Sequence, residues 1–106
     1  MLTSDTGKID WTKDADTVDN LIRGTYPWPT AFSYLGGKKI KITKSAVCDE
    51  KGKPGEVKSA GKDGITVCCL EGAVIIKRLK MEGGKEMDAG AFLLGHKIEP
   101  GTFFGI

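Results

Sequence analysis

The side chains that could act as nucleophiles, acid–base groups or metal ligands are few and widely spaced in this sequence. Three cysteines occur, at Cys48, Cys68 and Cys69, and one histidine, His96. A zinc site would need a fourth ligand at a workable spacing, and an odd number of thiols argues against a disulfide framework. Cys68 and Cys69 lie in the most apolar segment, where burial raises the pKa of a thiol and lowers its reactivity. We therefore expect neither a metal site nor catalytic residues in this chain.

Lysine and arginine side chains are the remaining candidates for a functional role, and their positive charges are unevenly distributed along the chain. The whole chain carries a net charge of +2. Residues 31–80 hold eleven basic and five acidic side chains, a net +6, whereas residues 1–30 and 81–106 each carry a net −2. A concentrated basic region suits a polyanion such as a nucleic acid, and a solvated strand face can produce the same count. Charge alone leaves both interpretations open.

A strand predicted from Lys38 to about Cys48 would position many of these charges. Its apolar Ile40 and Ile42 alternate with Lys39 and Lys41, so the face opposite the core is basic. A second strand, Ala73–Lys80, is predicted to carry a bulge or a strand end near Arg78. The candidate polyanion-binding residues lie on these two strands: Lys38, Lys39, Lys41, Lys44, Lys77, Arg78 and Lys80.

The other predicted elements complete a mainly β fold. An amphipathic helix is predicted over residues 13–24, with Thr12 as its N-cap and Gly24 as its C-cap. Further elements are predicted around the basic strands: a short strand with Phe32 and Tyr34, a hairpin turn at Gly36-Gly37, strands at Gly55–Ala60 and Ile65–Leu70, a turn at Lys62-Asp63-Gly64, and a short helix at Ala89–Gly95 capped by Asp88. Five antiparallel strands with an N-terminal helix and a short second helix indicate a small OB-like antiparallel barrel.

The length of the chain predicts one domain over residues 13–106, preceded by a linker or N-terminal arm at residues 1–12 in which Ile9 and Trp11 could anchor the chain. The run Pro27-Trp28-Pro29 predicts a rigid corner after the helix. No apolar stretch is long enough to span a bilayer and no signal peptide is evident. We expect a cytoplasmic monomer without a membrane partner.

Seven short motifs follow one another along the chain: Ile9-Asp10-Trp11-Thr12, Leu21-Ile22-Arg23, Pro27-Trp28-Pro29-Thr30-Ala31-Phe32, Gly64-Ile65-Thr66-Val67, Glu71-Gly72-Ala73, Phe92-Leu93-Leu94-Gly95-His96-Lys97 and Pro100-Gly101. In order and spacing they resemble the C-terminal domain of the methionyl-tRNA formyltransferase family. The resemblance covers nearly the whole chain.

This resemblance implies a function for a larger protein. In the family, an N-terminal domain binds the donor 10-formyltetrahydrofolate and carries the catalytic Asn, His and Asp, while the C-terminal barrel helps to hold methionyl-initiator tRNA in translation initiation. It implies that this chain binds no cofactor itself and that its partners are initiator tRNA and the N-terminal catalytic domain. The choice of particular lysines for tRNA rests on charge and strand alternation instead.

Two other functions remain open from the sequence. Related formyltransferases that act on nucleotide-linked amino sugars can carry a similar domain, which would then serve in domain packing. A free-standing OB-type single-strand binder is the second alternative. A linker-like N-terminus and the absence of an aromatic residue interleaved among the lysines argue against it, because single-strand binders stack bases on aromatic rings.

Overall fold

Antiparallel strands form the framework of the protein in a computed structural model, which describes residues 8–25, 31–35, 38–61, 64–81, 84–95 and 98–104. The elements in chain order are α1 (Ala15–Thr25), β1 (Phe32–Leu35), β2 (Lys38–Cys48), β3 (Val57–Gly61), β4 (Gly64–Cys68), β5 (Ala73–Met81), β6 (Glu86–Asp88) and α2 (Ala89–Gly95). The mainly β prediction is therefore confirmed, as are the bounds predicted for β2 and α2.

The strands join in one antiparallel sheet with the order β1-β2-β5-β4-β3. Strand β5 pairs with β2 along one edge, and along its other edge it pairs first with β4 and then with β6. The sequence predicted five strands, and β6 was missed. Its three residues include one apolar side chain, Met87, so they show no alternation that could be recognised.

Helix α1 lies on β2 and buries its apolar face there. Val18 and Ile22 are at most 2% exposed and belong to the same hydrophobic cluster as Ile40 and Ile42. A polar contact fixes the helix on the strand, because the Ser45 hydroxyl donates to Asp19 Oδ1 over 2.6 Å. The amphipathic pattern of the helix is thus explained by one buried side facing the sheet.

The predicted ends of α1 were wrong. The backbone N–H of Thr17 donates to the Asp14 side chain over 2.8 Å, so Asp14 caps the helix. Thr12 lies three residues before the first helical residue, Ala15, and its backbone N–H and hydroxyl both donate to Asp10 Oδ1. Gly24 lies inside the helix, which continues to Thr25.

Strand β4 is covered on both sides. All five of its residues are buried, as the apolar run in the sequence predicted. The strand ends at Cys68, however, and Leu70, which was predicted to belong to it, is 63% exposed. Helix α2 contacts β3, β4 and β5, and its Phe92 is 1% exposed in the core.

The N-terminal segment lies along the free edge of β1. The backbone N–H of Ile9 donates to Phe32 O over 2.9 Å, and the indole N–H of Trp11 donates to Ser33 Oγ over 3.0 Å. Ile9 and Trp11 are each 5% exposed. Residues 8–12, the end of the predicted arm, therefore pack against the sheet.

The C-terminal segment lies along β3 at the opposite edge of the sheet. The backbone N–H of Val57 donates to Thr102 O over 2.7 Å, and Phe103 forms an isolated antiparallel bridge with Glu56. The rings of Trp11 and Phe104 meet edge-on with centroids 5.9 Å apart. The two terminal segments thus join across the space between the edge strands, while closure of the sheet into a barrel stays a prediction.

Several predictions concern residues outside the described ranges: the corner at Pro27-Trp28-Pro29, the turns at Gly36-Gly37 and Lys62-Asp63, and His96. Neither helix within those ranges is long and apolar enough to cross a membrane.

Gly64 opens β4 in a conformation that requires glycine, so we expect Gly64→Ala to destabilise the protein by about 3 kcal/mol. Its φ is +135°, and an added Cβ would lie 2.5 Å from Ile75 Cγ2 and 2.7 Å from Ile76 O. Urea unfolding measures the change.

Gly24→Ala is the matched control. Gly24 is helical and no atom lies within 4 Å of its Cβ position, so this change should stabilise the protein by about 1 kcal/mol. Equal effects of the two substitutions would contradict the conformational explanation.

Candidate nucleic-acid interface

Two pairs of basic residues lie directly opposite each other across the central ladder. Lys41 on β2 pairs with Lys80 on β5, and Lys44 pairs with Arg78. Lys39 lies two residues before Lys41 and therefore on the same side of β2. We call these five residues, Lys39, Lys41, Lys44, Arg78 and Lys80, the basic face.

A register irregularity creates the second of these pairs. The ladder shifts between Ile42 and Lys44 and again between Lys44 and Ser45, which confirms the irregularity predicted near Arg78. In an undisturbed strand, Lys44 would lie on the opposite side from Lys41. Thr43, at the same irregularity, has a buried Oγ1 without a hydrogen-bond partner among the described residues.

Arg78 is neutralised by local carboxylates. Its Nε donates to Glu86 Oε2 over 2.7 Å, and its Nη1 donates to Asp88 Oδ1 over 2.9 Å. Both acids belong to β6, where Asp88 pairs with Arg78 and Glu86 pairs with Lys80. Because the sequence prediction missed β6, it also missed this neutralisation. Lys41, by contrast, has Phe32 as its strand neighbour on the other side.

Two aromatic residues adjoin the basic face. Tyr34 on β1 pairs with Lys39, and Phe32 pairs with Lys41. Lys39 Nζ lies 4.3 Å from the centre of the Phe32 ring, a cation–π distance, and the Phe32 and Tyr34 rings meet edge-on at 5.8 Å. The expectation that no aromatic side chain is interleaved among the lysines was therefore wrong. A two-residue hairpin turn at Gly36-Gly37 implies that Tyr34 pairs with Lys39 and Phe32 with Lys41, so these neighbours could have been predicted from the sequence.

Two of the seven predicted residues lie apart from the basic face. Lys38 pairs with Leu35, which packs against the core. Lys38 and Lys39 therefore lie on opposite sides of β2. Lys77 is exposed next to the irregularity and has no partner in the described strand pairs. The structure thus brings together five of the predicted residues.

Like charges held directly opposite each other repel, which destabilises a sheet. The Lys41–Lys80 pair has this arrangement on two partly exposed side chains, with Glu86 as the strand neighbour beyond Lys80. An anion placed between the two ammonium groups would remove the repulsion and gain two favourable contacts. The arrangement is therefore suited to holding a phosphate group.

The opposite end of β2 is acidic. Asp14, Asp16, Asp49 and Glu71 line an open groove there, beside Val47 at the end of the strand. The molecule is 36 Å long in its largest dimension. A polyanion is thus attracted to one end of β2 and repelled from the other, which favours one orientation of binding.

The cysteines are arranged for packing and not for reaction. Burial raises the pKa of Cys68. The pKa of Cys69 is raised to about 12, mainly by burial and to a smaller extent by the neighbouring Cys68. Burial and the carboxylates of Glu50 and Asp49 raise the pKa of Cys48. Among the described residues, no three His, Cys, Asp or Glu side chains come together as metal ligands.

Comparison with known proteins identifies similar sequences. The family model described as "Formyl transferase, C-terminal domain" matches residues 1–97. The methionyl-tRNA formyltransferases of Geotalea uraniireducens and Citrifermentans bemidjiense are 46% and 42% identical to this chain over 105 residues. Each alignment covers 99% of this chain but 34% and 33% of the relative. The chain spans about a third of the length of the curated relatives it matches.

Solved structures share the fold. HypX from Aquifex aeolicus in complex with tetrahydrofolic acid matches with a TM-score of 0.74 and 24% identity, over 96% of this chain and 21% of that chain. A multiply substituted HypX variant matches with a TM-score of 0.72 and 25% identity, over 94% of this chain and 19% of that chain.

The raised pKa of Cys69 leads to a labelling prediction. At pH 8 a thiol with a pKa of about 12 holds far less thiolate than an ordinary cysteine, so iodoacetamide should leave Cys69 unmodified in the folded protein. Cys48, which is more exposed, should react first. Mass spectrometry of the digested protein measures both sites, with labelling in urea as the control. Modification of Cys69 at the same rate with and without urea would contradict the prediction.

Proposed function

This chain belongs to the family of formyl transferase C-terminal domains, and we propose that it is the tRNA-holding domain of a methionyl-tRNA formyltransferase. In this proposal the rest of the protein binds 10-formyltetrahydrofolate and transfers the formyl group to the amino group of methionyl-initiator tRNA. This chain contributes no catalytic residue and no cofactor site. We place this protein in the cytoplasm.

The observation that supports RNA binding best is the Lys41–Lys80 pair. The ladder places two lysine residues directly opposite each other although like charges at such positions cost stability. A second like-charge pair, Lys44–Arg78, follows it along the same two strands. Together the two pairs place basic residues along one face of the ladder, which suits the phosphates of a nucleic-acid backbone although Glu86 and Asp88 also bind Arg78.

Contacts of this kind recognise the shape and charge of RNA and not its sequence. An A-form helix hides its base edges in a deep, narrow groove, so lysines on a sheet reach mainly phosphates and 2′-hydroxyl groups. With about four phosphates neutralised, the logarithm of affinity should fall with the logarithm of salt concentration at a slope of about −3. The domain alone would bind weakly, and its loss from the whole enzyme would chiefly raise KM.

The double substitution Lys41→Gln with Lys80→Gln tests this function. Losing two phosphate contacts should weaken binding of initiator tRNA roughly 30-fold and reduce the salt slope by about 1.6, to about half. The free protein should become more stable by a few tenths of a kcal/mol, because the repulsion is removed. Filter binding at several salt concentrations and urea unfolding measure the two effects.

Lys53→Gln with Lys58→Gln is the matched control. Lys58 lies on β3 and Lys53 in the loop before it, and β5 and β4 separate both from β2 in the sheet. The control should change the net charge equally but leave most of the affinity. An equal loss of affinity in both variants would mean that tRNA responds only to the net charge and not to the basic face. If the unmodified chain bound no tRNA, a domain-packing role would be favoured.

Glu86→Gln should strengthen RNA binding about threefold, because it frees part of the Arg78 charge that Glu86 now neutralises. Glu71→Gln makes the same change in net charge at the acidic end of β2 and should have a smaller effect. Fluorescence anisotropy with a labelled tRNA measures both variants. If Glu86→Gln weakened binding, Glu86 would be holding Arg78 in its binding position.

A further inference from the structure

We propose that Tyr34 forms a stacking site for an unpaired nucleotide of the RNA that the basic face holds, an inference that rests on the proposed function. Tyr34 lies where two features of the surface meet. It pairs with Lys39, the first residue of the basic face, and it lines an open groove along the edge of β1.

The groove has a suitable size and composition for a base. Its volume is about 450 Å³, within the range of small-molecule sites, and charged, hydroxyl and aromatic side chains line it. The residues that line it besides Tyr34 include Lys8, Asp10, Thr12, Pro54 and Phe104. It is formed where the N-terminal segment and the C-terminal segment approach β1, so the walls come from long-range contacts.

The ring of Tyr34 packs against Phe32 and is not fully buried. Among the residues that the structure describes, its aromatic contact is the edge-on packing with Phe32 at an angle of 88°. An edge-on contact covers at most one of the two faces of a ring. Phe32 itself is 2% exposed and cannot receive a base. Of the two described aromatic residues that adjoin the basic face, Tyr34 is therefore the one whose ring is accessible to a base.

The charges favour a base in the groove and phosphates outside it. Hydrogen bonds from the Thr12 hydroxyl and backbone N–H lower the pKa of Asp10, so this carboxylate is ionised at neutral pH. A carboxylate repels phosphate but accepts hydrogen bonds from the amino groups of bases. Lys8 also lines the groove, whereas the lysines of the basic face lie on the other side of Tyr34, where the backbone of the same nucleotide would be.

Three RNA hairpins test this site in the intact chain. One is blunt, one carries a short unpaired adenosine tail, and one carries a tail of equal length with abasic sugars. Stacking of one base should make the adenosine-tailed hairpin bind about tenfold more tightly than the abasic-tailed one. Equal affinity for the two tailed hairpins would overturn the inference and leave the proposed function intact, whereas failure to bind the blunt hairpin would overturn the proposed function.

Substitutions then assign the effect to the ring. Tyr34→Leu should abolish the difference between the tailed hairpins while leaving the affinity for the blunt one unchanged. Tyr34→Phe should keep the difference, since it keeps the ring. Phe103→Leu removes a partly exposed ring at the opposite edge of the sheet and should have no effect on the difference. Loss of the difference in Phe103→Leu as well as in Tyr34→Leu would overturn the assignment to Tyr34.

Discussion

The ladder between β2 and β5 holds the core and the basic face in one register. Ile42 and Leu79 are paired and fully buried, and one step along the same ladder Lys41 and Lys80 are paired on the other side. A slip of one residue would expose the isoleucines and bury the lysines, so burial of apolar area fixes the position of the charges. The core thereby supports an arrangement that electrostatics alone would not produce.

Much of this framework could be predicted from the sequence, because it depends on long regular patterns. The alternation along β2 predicted that strand to the residue, and the continuous apolar run of β4 predicted that both its sides are covered. The ends of α1 could not be predicted in the same way. Thr12 and Asp14 are both residue types that cap helices, and which of them does so depends on the turn that the chain makes before the helix.

The composition of the candidate site was predictable, and its electrostatics were not. Lys39, Lys41, Arg78 and Lys80 come together as the strand pattern suggested, and Lys44 joins them through the register irregularity. The neutralisation of Arg78 depends on β6, which is too short to carry a hydrophobic period. The groove beside Tyr34 depends on segments from the two ends of the chain, whose meeting no local pattern encodes.

The contact between Trp11 and Phe104 has a further consequence for how the protein behaves in a crowded solution. Strands β1 and β3 are the edges of the sheet, and each would offer unpaired backbone groups to another molecule. The segments that end in these two rings occupy part of both edges. Since the rings pack against each other, this contact helps to keep both segments on their edges, and a substitution that removes either ring weakens the cover of both edges against aggregation.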